Sequence, residues 1–219
     1  MKITITFFVL ILLLANHGFG QQNEFAKKPR IAGIKFGATT SSFYRDSKDK
    51  FLPPSTNPNL GFHFGFILDL INKKRFGSQL ELSYVLKGAS ETFQSATQTT
   101  KVKTKLHYAQ LDIIPIIVKP FGYRPFNPYV SIGFYYSYLL SPKIDYTVER
   151  ELNGIIFTDN EKPLDFKLFE KSDYGLFANA GIKFKSISVE YRHEFGLKDL
   201  ISEVSLKNQI NNLSLKLTY

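Results

Sequence analysis

The sequence predicts an all-β protein, an eight-stranded antiparallel up-and-down transmembrane β-barrel with a polar, side-chain-filled interior. Three observations lead to this prediction. Strong hydrophobes alternate with polar residues along repeated segments, the connections between these segments are alternately long and short, and an export segment precedes them. Alternating segments that are joined by short turns on one side and by longer loops on the other are typical of membrane barrels.

The first twenty residues have the composition of a secretory signal peptide. Lys2 supplies the positive charge, residues 3–15 form the apolar stretch, and Gly18 and Gly20 are the small residues before a cleavage point. The apolar stretch is shorter than the roughly 20 residues that a transmembrane helix requires. The predicted organisation is a signal peptide at 1–20, a short N-terminal segment at 21–29 and an outer-membrane β-barrel at 30–219.

The composition suits strands with two different faces. The chain has 21 Phe and 12 Tyr, yet 21% of its residues are charged, and the two kinds are interleaved. It has no cysteine, so the exported chain has no disulfide framework and requires an extensive hydrogen-bonded core. The formal net charge of +9 has two interpretations, solubility of the chain and attraction to an anionic surface.

A two-residue period defines the strands. Residues 61–70 place Phe62, Phe64, Phe66, Leu68 and Leu70 on one face, with mostly small or polar residues between them. The same period occurs in residues 80–87, 130–138, 187–195 and 213–219. Adding residues 30–40, 101–119 and 173–184 gives eight predicted strands.

The predicted connections alternate in length. They cover residues 41–59, 71–79, 88–100, 120–128, 141–172, 185–186 and 196–211, in the order long, short, long, short, long, short, long. Outer-membrane barrels have short periplasmic turns and longer external loops. A soluble eight-stranded barrel has no reason to alternate so regularly, and its apolar residues point inward.

The polar face of the predicted strands carries charges of both signs. In a membrane barrel the apolar face contacts lipid, so these charges face a narrow lumen and pair with one another. Glycines on the same face leave room for long side chains. The predicted lumen network consists of Lys35, Asp69, Glu81, Lys87, Asp112, Lys183, Glu190, Arg192, Glu194 and Lys216.

Residues 101–119 show how the phase of one strand is chosen. If the even positions faced lipid, Asp112 would lie in hydrocarbon, which is costly for a charged side chain. The odd positions from His107 to Ile117 are therefore predicted to form the apolar band. Because Pro115 has no amide N–H, a β-bulge or an unpaired neighbour is expected beside it.

The same phase places Lys101, Lys103 and Lys105 on the outward face, just beyond the external end of the apolar band. This height matches the sugar phosphates of the outer leaflet. The three lysines are predicted to bind lipopolysaccharide phosphates as point charges. The alternative is an ordinary solvated extension of the strand.

The second half of the chain resembles the PorT family of outer-membrane β-barrel proteins of the Bacteroidota. The resemblance rests on LDIIPIIVKP (111–120), NPYVSIGF (127–134) and DYGLFANAGIKF followed by ISVEYRHEFGLKDL (173–200). Asn179 departs from the glycine usual in the family, and Lys216 from a glycine common near the terminal aromatic residue. The resemblance implies an eight-stranded outer-membrane barrel and a link to type IX protein secretion.

The C-terminal strand ends on an alternating apolar series with a terminal aromatic residue, Leu213, Leu215, Leu217 and Tyr219. This pattern resembles the signal that the outer-membrane barrel-assembly machinery recognises. The aromatic residue also suits the interface between lipid and periplasm.

No pattern in the chain predicts catalysis. His63, His107 and His193 all lie on predicted strands without the spacing of a catalytic triad, and His107 and His193 have lipid-side parity. No cofactor, metal site or nucleic-acid partner is predicted. The expected function is non-enzymatic, a structural or interaction role through external loops that contact a secretion component or a surface ligand. The alternatives are a small-solute pore and a ligand-binding barrel.

Overall fold

The computed structural model describes residues 30–45, 56–95, 98–121, 126–152, 155–159, 169–201 and 205–218. The predicted signal peptide, the segment 21–29 and Tyr219 lie outside these residues. The strands are β1 (Arg30–Arg45), β2 (Asn57–Asn72), β3 (Phe76–Ser95), β4 (Gln98–Val118), β5 (Phe126–Leu152), β6 (Ile155–Asp159), β7 (Ser172–Phe184), β8 (Ile187–Gly196) and β9 (Leu206–Thr218). Within the described ranges, no helix is long and apolar enough to cross a membrane.

Eight of these strands close into a barrel. Each strand pairs antiparallel with its neighbour in the order β4-β3-β2-β1-β9-β8-β7-β5, and β4 pairs with β5 to complete the circle. The first strand pairs with the last over a long register, from Gly33↔Thr218 to Arg45↔Leu206. The predicted eight-stranded up-and-down barrel is confirmed, and β6 is an additional short strand that pairs with β5.

Most of the predicted external loop 88–100 and the first half of the predicted loop 141–172 are wrong, because strands continue through them. β3 and β4 remain paired up to Ser95↔Gln98, and β5 leaves β7 after Tyr138 but stays paired with β4 as far as Arg150. These stretches are polar, and their frequent Thr, Val and Tyr residues favour strands. Residues 91–95, 98–105, 139–152 and 155–159 form a four-stranded extension of the barrel, which we call the protruding sheet.

The β-bulge expected beside Pro115 is confirmed. The register of β4 against β5 shifts between Ile113 and Ile116. This shift reverses the phase of the strand, so that Ile116 is 49% exposed on the outer wall while Ile117 is buried in the interior. The predicted lipid-facing position of Ile117 is therefore wrong, because one extra residue in a strand moves every later side chain to the other face.

The outer wall is apolar, and aromatic residues lie at both of its ends. Large hydrophobic side chains from every barrel strand are exposed, including Phe62, Phe64 and Phe66 of β2. The short-turn end carries the exposed residues Phe76, Phe121, Phe126 and Phe184, and the long-loop end carries Tyr44, Tyr136, Tyr138 and Tyr174. Aromatic girdles of this kind mark the two interfaces of a membrane barrel.

The interior at the long-loop end is filled by hydrophobic residues. Phe43, Ala89, Leu106, Tyr108, Leu139, Leu200 and Leu206 form one buried cluster, with Phe169 and Ile201 packed against it. Leu200 belongs to the connection between β8 and β9, which folds back over the barrel opening. Its backbone N–H donates to Leu206, and its carbonyl accepts from Glu170. We call this buried cluster the external cap.

Candidate functional site

Charged side chains fill the middle of the lumen. Four cationic and five acidic side chains there are each less than 9% exposed, which leaves one excess negative charge among the described residues. Since each strand turns alternate side chains inward, residues two apart on a strand enter the lumen together. The members of this ionic layer are Lys35, Lys87, Arg192, Lys216, Glu81, Asp112, Asp173, Glu190 and Glu194.

Arg192 lies at the centre of the ionic layer. Its Nη2 donates to Glu81 Oε2 at 2.6 Å and its Nη1 donates to Asp112 Oδ2. The Nε donates to Asn179 Oδ1 at 3.0 Å, and the guanidinium lies 4.1 Å from the centre of the Phe177 ring. A planar guanidinium with donors in several directions suits this position, which a lysine would satisfy only in part.

Two lysines complete the contacts of Glu81. Lys35 Nζ donates to Glu81 Oε2 at 2.6 Å and to Asp112 Oδ2 at 3.1 Å. Lys216 Nζ donates to Glu81 Oε1 and to Glu190 Oε2, both at 2.7 Å. Glu81 therefore accepts hydrogen bonds from three cationic groups on three other strands. Buried ion pairs are tolerated when such additional contacts satisfy their remaining hydrogen-bonding capacity.

Lys87 connects the ionic layer to the external cap. Its Nζ donates to Asp173 Oδ2 at 3.2 Å and to Ser137 Oγ at 3.1 Å. The same Nζ lies over the ring of Tyr135 at 4.3 Å and over the ring of Tyr108, a cap residue, at 5.0 Å. Aromatic faces stabilise a desolvated ammonium group.

Two members of the predicted lumen network lie elsewhere. Asp69 and Lys183 are half-buried, and among the described residues neither makes a salt bridge. Asp69 instead accepts hydrogen bonds from Gln79 Nε2 at 2.7 Å and Asn72 Nδ2 at 3.1 Å. Burial and the nearby charge of Lys183 lower the pKa of Lys119 in the β4–β5 turn, while Asp69 opposes this effect. Asp69, Lys119 and Lys183 line the opening at the short-turn end of the barrel, where water solvates their charges.

Sequence reasoning missed several lumen residues that complete the ionic layer. Asp173 accepts from Lys87 and from Asn208 Nδ2, and Gln110 Nε2 donates to Asp112 and Glu194. In the predicted strand 173–184, the parity that places Lys183 in the lumen also places Asp173 there, so the alternation of the strand already indicated this residue. Asn179 bridges Arg192 Nε and Ser131 Oγ and therefore belongs to the network.

The three histidines of the predicted strands make no catalytic arrangement within the described residues. His63 faces the lumen and its Nε2 lies 2.9 Å from Ser214 Oγ. On the outer wall His107 Nδ1 contacts Tyr84 OH, and His193 Nδ1 lies 2.6 Å from Asn211 Oδ1. In the part of the chain that is described, no group of three or more His, Cys, Asp or Glu side chains is placed to hold a metal ion.

The remaining predicted site residues that the structure describes lie on the outer wall. Lys101 and Lys103 are exposed on the β4 portion of the protruding sheet, and Lys105 is half-buried. On β9, Leu213 is exposed and both Leu215 and Leu217 are half-buried. Recognition of this strand by the assembly machinery stays a prediction.

A comparison with known protein families assigns the chain. The profile of the family described as "Outer membrane protein beta-barrel domain" matches residues 19–202. The chain belongs to this family. The protein is therefore located in the outer membrane. Barrels of this kind direct their long loops outward and their short turns toward the periplasm.

Solved structures provide distant likenesses. Ail, the attachment invasion locus protein of Yersinia pestis, is 12% identical with a TM-score of 0.37, over 86% of this chain and 97% of that one. Neisserial surface protein A is 11% identical with a TM-score of 0.46, over 88% of this chain and 100% of that one. No curated protein sequence matches the chain.

Proposed function

We propose that this outer-membrane barrel is a non-enzymatic interaction protein whose protruding sheet binds a partner outside the cell. The observation that carries the proposal is the continuation of β3, β4 and β5 beyond the closed barrel, together with the added strand β6. A barrel that only anchored itself in the membrane would need no strands beyond the apolar band. The extra length therefore serves contacts above the membrane.

The protruding sheet has two edges that suit a partner strand. Among the described residues, β6 pairs with β5 on one side only, and residues 91–95 of β3 pair with β4 only. Edge strands present unpaired N–H and C=O groups, to which an extended peptide adds by main-chain hydrogen bonds. The proposed partner is a protein with an extended segment that lies along one of these edges.

The filled interior argues against the two alternatives, a small-solute pore and a ligand-binding barrel. The external cap and the ionic layer occupy the lumen one above the other, and eight-stranded barrels of this size are just wide enough for side chains to fill. In a planar bilayer, the purified chain should give no stable open current. A large steady current would overturn the proposal of a closed interior.

A role in type IX protein secretion is the specific form of this interaction that the resemblance to PorT implies. Its support is the set of motifs in residues 111–134 and 173–200. If the partner is a secretion component, loss of this chain should retain exported cargo proteins inside the cell. Normal export of these proteins from a deletion strain would contradict the secretion role, and the proposal of a surface interaction would remain.

Site-specific crosslinking tests the proposed partner surface. The chain has no cysteine, so a single introduced cysteine carries a photocrosslinker at a unique place. Thr92→Cys places the reagent on the exposed face of the protruding sheet, and Lys74→Cys places it in the exposed turn at the opposite end. On intact cells, we expect one discrete crosslinked protein from Thr92→Cys and none from Lys74→Cys. Identical products from both positions, or none from Thr92→Cys, would contradict the proposal.

A further inference from the structure

A groove crosses the outer wall of β5, β7, β8 and β9 near the short-turn end of the barrel. It forms around Ala180, because this small residue has two larger register partners, Val130 on β5 and Tyr191 on β8. The groove has a volume of about 630 Å³, and its lining also includes Ile182 and Pro120. This volume lies within the roughly 300–1,000 Å³ of ligand pockets.

The groove offers apolar contacts and no hydroxyl donor. Its lining side chains are aliphatic or proline except for two tyrosines, Tyr129 and Tyr191. Tyr129 OH donates to Glu190 Oε2 at 2.9 Å, and Tyr191 OH donates to Asn211 Oδ1 at 2.7 Å, so neither proton is available to a ligand. An apolar groove on the outer wall of a membrane barrel faces acyl chains rather than water.

Between the groove and the β7–β8 turn, the outer wall is first aromatic and then cationic. Phe126 and Phe184 are register partners, 60% and 48% exposed, and their ring centres lie 6.2 Å apart. Lys185 follows in the turn with an exposed side chain, and its Nζ lies 5.6 Å from the centre of the Phe184 ring. Toward the periplasm the wall therefore presents an apolar groove, interfacial rings and an ammonium group, which is the order of the parts of a phospholipid.

The cations at the β7–β8 turn have no acidic partner. Among the described residues neither Lys183 nor Lys185 makes a salt bridge, whereas each of the four lumen cations lies within 3.2 Å of a carboxylate oxygen. The register partners of Lys183 are the neutral residues Asn127 and Ser188. Asp69, at the same opening, accepts hydrogen bonds from two side-chain amides instead. The positive charge of this turn is therefore available to an anionic group.

We infer that the groove and the β7–β8 turn hold one anionic phospholipid of the inner leaflet of the outer membrane. Its acyl chains lie in the groove over Ala180, and Lys183 and Lys185 bind its phosphate as point charges. The short turns of such barrels face the periplasm, so this end of the outer wall meets the inner leaflet. The lipid site lies at the opposite end of the barrel from the protruding sheet, so it goes beyond the proposed function and does not depend on it.

Native mass spectrometry of the full chain tests the site. The chain is reconstituted with equal amounts of anionic phosphatidylglycerol and zwitterionic phosphatidylcholine, and the lipid that stays bound is identified. We expect one retained phosphatidylglycerol molecule. Two basic residues at an anionic lipid surface together change an affinity by about thirty-fold. The variant K183Q/K185Q should therefore bind phosphatidylglycerol about ten- to thirty-fold more weakly, and A180F, which fills the groove, should lose retention of either lipid.

Two matched controls separate this site from general contact with lipid. K74Q/R75Q removes two exposed charges from the β2–β3 turn, on the opposite side of the barrel, and A178F adds the same ring to an exposed position of β7 outside the groove. Both should retain phosphatidylglycerol as the wild type does, at free energies of unfolding measured in parallel. Equal weakening by K74Q/R75Q, equal retention of the two lipids by the wild type, or normal retention by A180F would each overturn the inference. A two-chain mass that disappears in A180F would also overturn it, because a second copy of the chain would then occupy the groove.

Discussion

The ionic layer and the external cap fill the same lumen by opposite means. In the ionic layer, nine charged side chains from barrel strands are buried and paired across the interior. In the external cap, hydrophobic side chains pack together, and one of them, Leu200, comes from a loop that folds back into the opening. The two regions therefore differ in chemistry and in the kind of backbone that supplies them.

This difference has an energetic consequence. An ion pair in the lumen joins distant strands, so removal of one partner leaves an uncompensated buried charge that weakens the whole barrel. A loop that lies in the opening is able to move out without separating any barrel strand. We expect changes in the ionic layer to affect global unfolding, and changes in the loop part of the cap to affect mainly local opening.

The largest effect is expected from Arg192→Met. This substitution leaves Glu81 and Asp112 without their guanidinium contacts and raises the excess of buried negative charge. Removal of one partner from a buried ion pair costs about 3–5 kcal/mol. We expect a loss of that size in the free energy of unfolding, measured from urea titrations of the folded barrel in detergent.

A second substitution tests whether the loss comes from the unpaired charge. Combining Arg192→Met with Asp112→Asn removes one carboxylate together with the cation, so part of the lost stability should return. A double-mutant cycle gives the coupling between the two sites. A loss below about 1 kcal/mol for Arg192→Met would indicate that water already screens the ionic layer.

A smaller global effect is expected from Lys87→Met, at the boundary between the two regions. The substitution removes the hydrogen bonds to Asp173 and Ser137 but keeps a side chain of similar length over the Tyr135 ring. Asp173 retains Asn208 Nδ2 as a donor at 2.8 Å. Because removal of one partner of a buried ion pair costs about 3–5 kcal/mol and Asp173 keeps this donor, we expect a loss of about 3 kcal/mol, at the low end of that range, in the same titration. A loss as large as that of Arg192→Met would mean that Lys87 stabilises the barrel as much as Arg192 does.

The sequence predicts more of the ionic layer than of the external cap. The two-residue period of β8 places Glu190, Arg192 and Glu194 in the lumen, because alternate residues of a strand share a face. The sequence also places Glu81 and Asp112 in the lumen, but it does not predict that these residues of β3 and β4 pair with Arg192, since the pairing depends on closure of the barrel. Nor does it predict that Leu200 enters the opening, because loop positions have no period.

The prediction for β4 was correct for a local feature and wrong for features that depend on the neighbouring strands. The sequence located the bulge beside Pro115, because a missing amide is a local property. It did not predict the number of residues inserted there, and this number decides the face of Ile117. The polar composition of residues 88–100 likewise favoured a loop, whereas pairing with neighbouring strands extends β3 and β4 through most of them.

Leu200→Ala tests the local character of the cap. Leu200 is 1% exposed, and truncation of a buried leucine in a rigid core costs about 2–5 kcal/mol. Since the loop is able to open by itself, we expect only about 1 kcal/mol in global unfolding. Hydrogen exchange at the amides of Leu200 and Glu170, which form the loop hydrogen bonds, should become at least about ten-fold faster.

The matched control for this substitution is Leu206→Ala, in the same cap but on β9. It should lower the free energy of unfolding more than Leu200→Ala does, because a barrel strand cannot leave the lumen alone. Equal global losses from the two leucines would mean that the loop and the strands unfold as one unit. The distinction between a separable cap and an integral ionic layer would then be wrong.

The smallest effect is expected from Asp145→Asn, which breaks an ion pair outside the lumen. The side chains of Lys105 and Asp145 are 30% and 41% exposed, against 2% and 0% for Arg192 and Glu81. Exposed pairs contribute about 0.2–1 kcal/mol, so we expect a loss below about 0.5 kcal/mol that disappears at high salt. The loss from Arg192→Met should persist at high salt, because ions do not reach the buried layer.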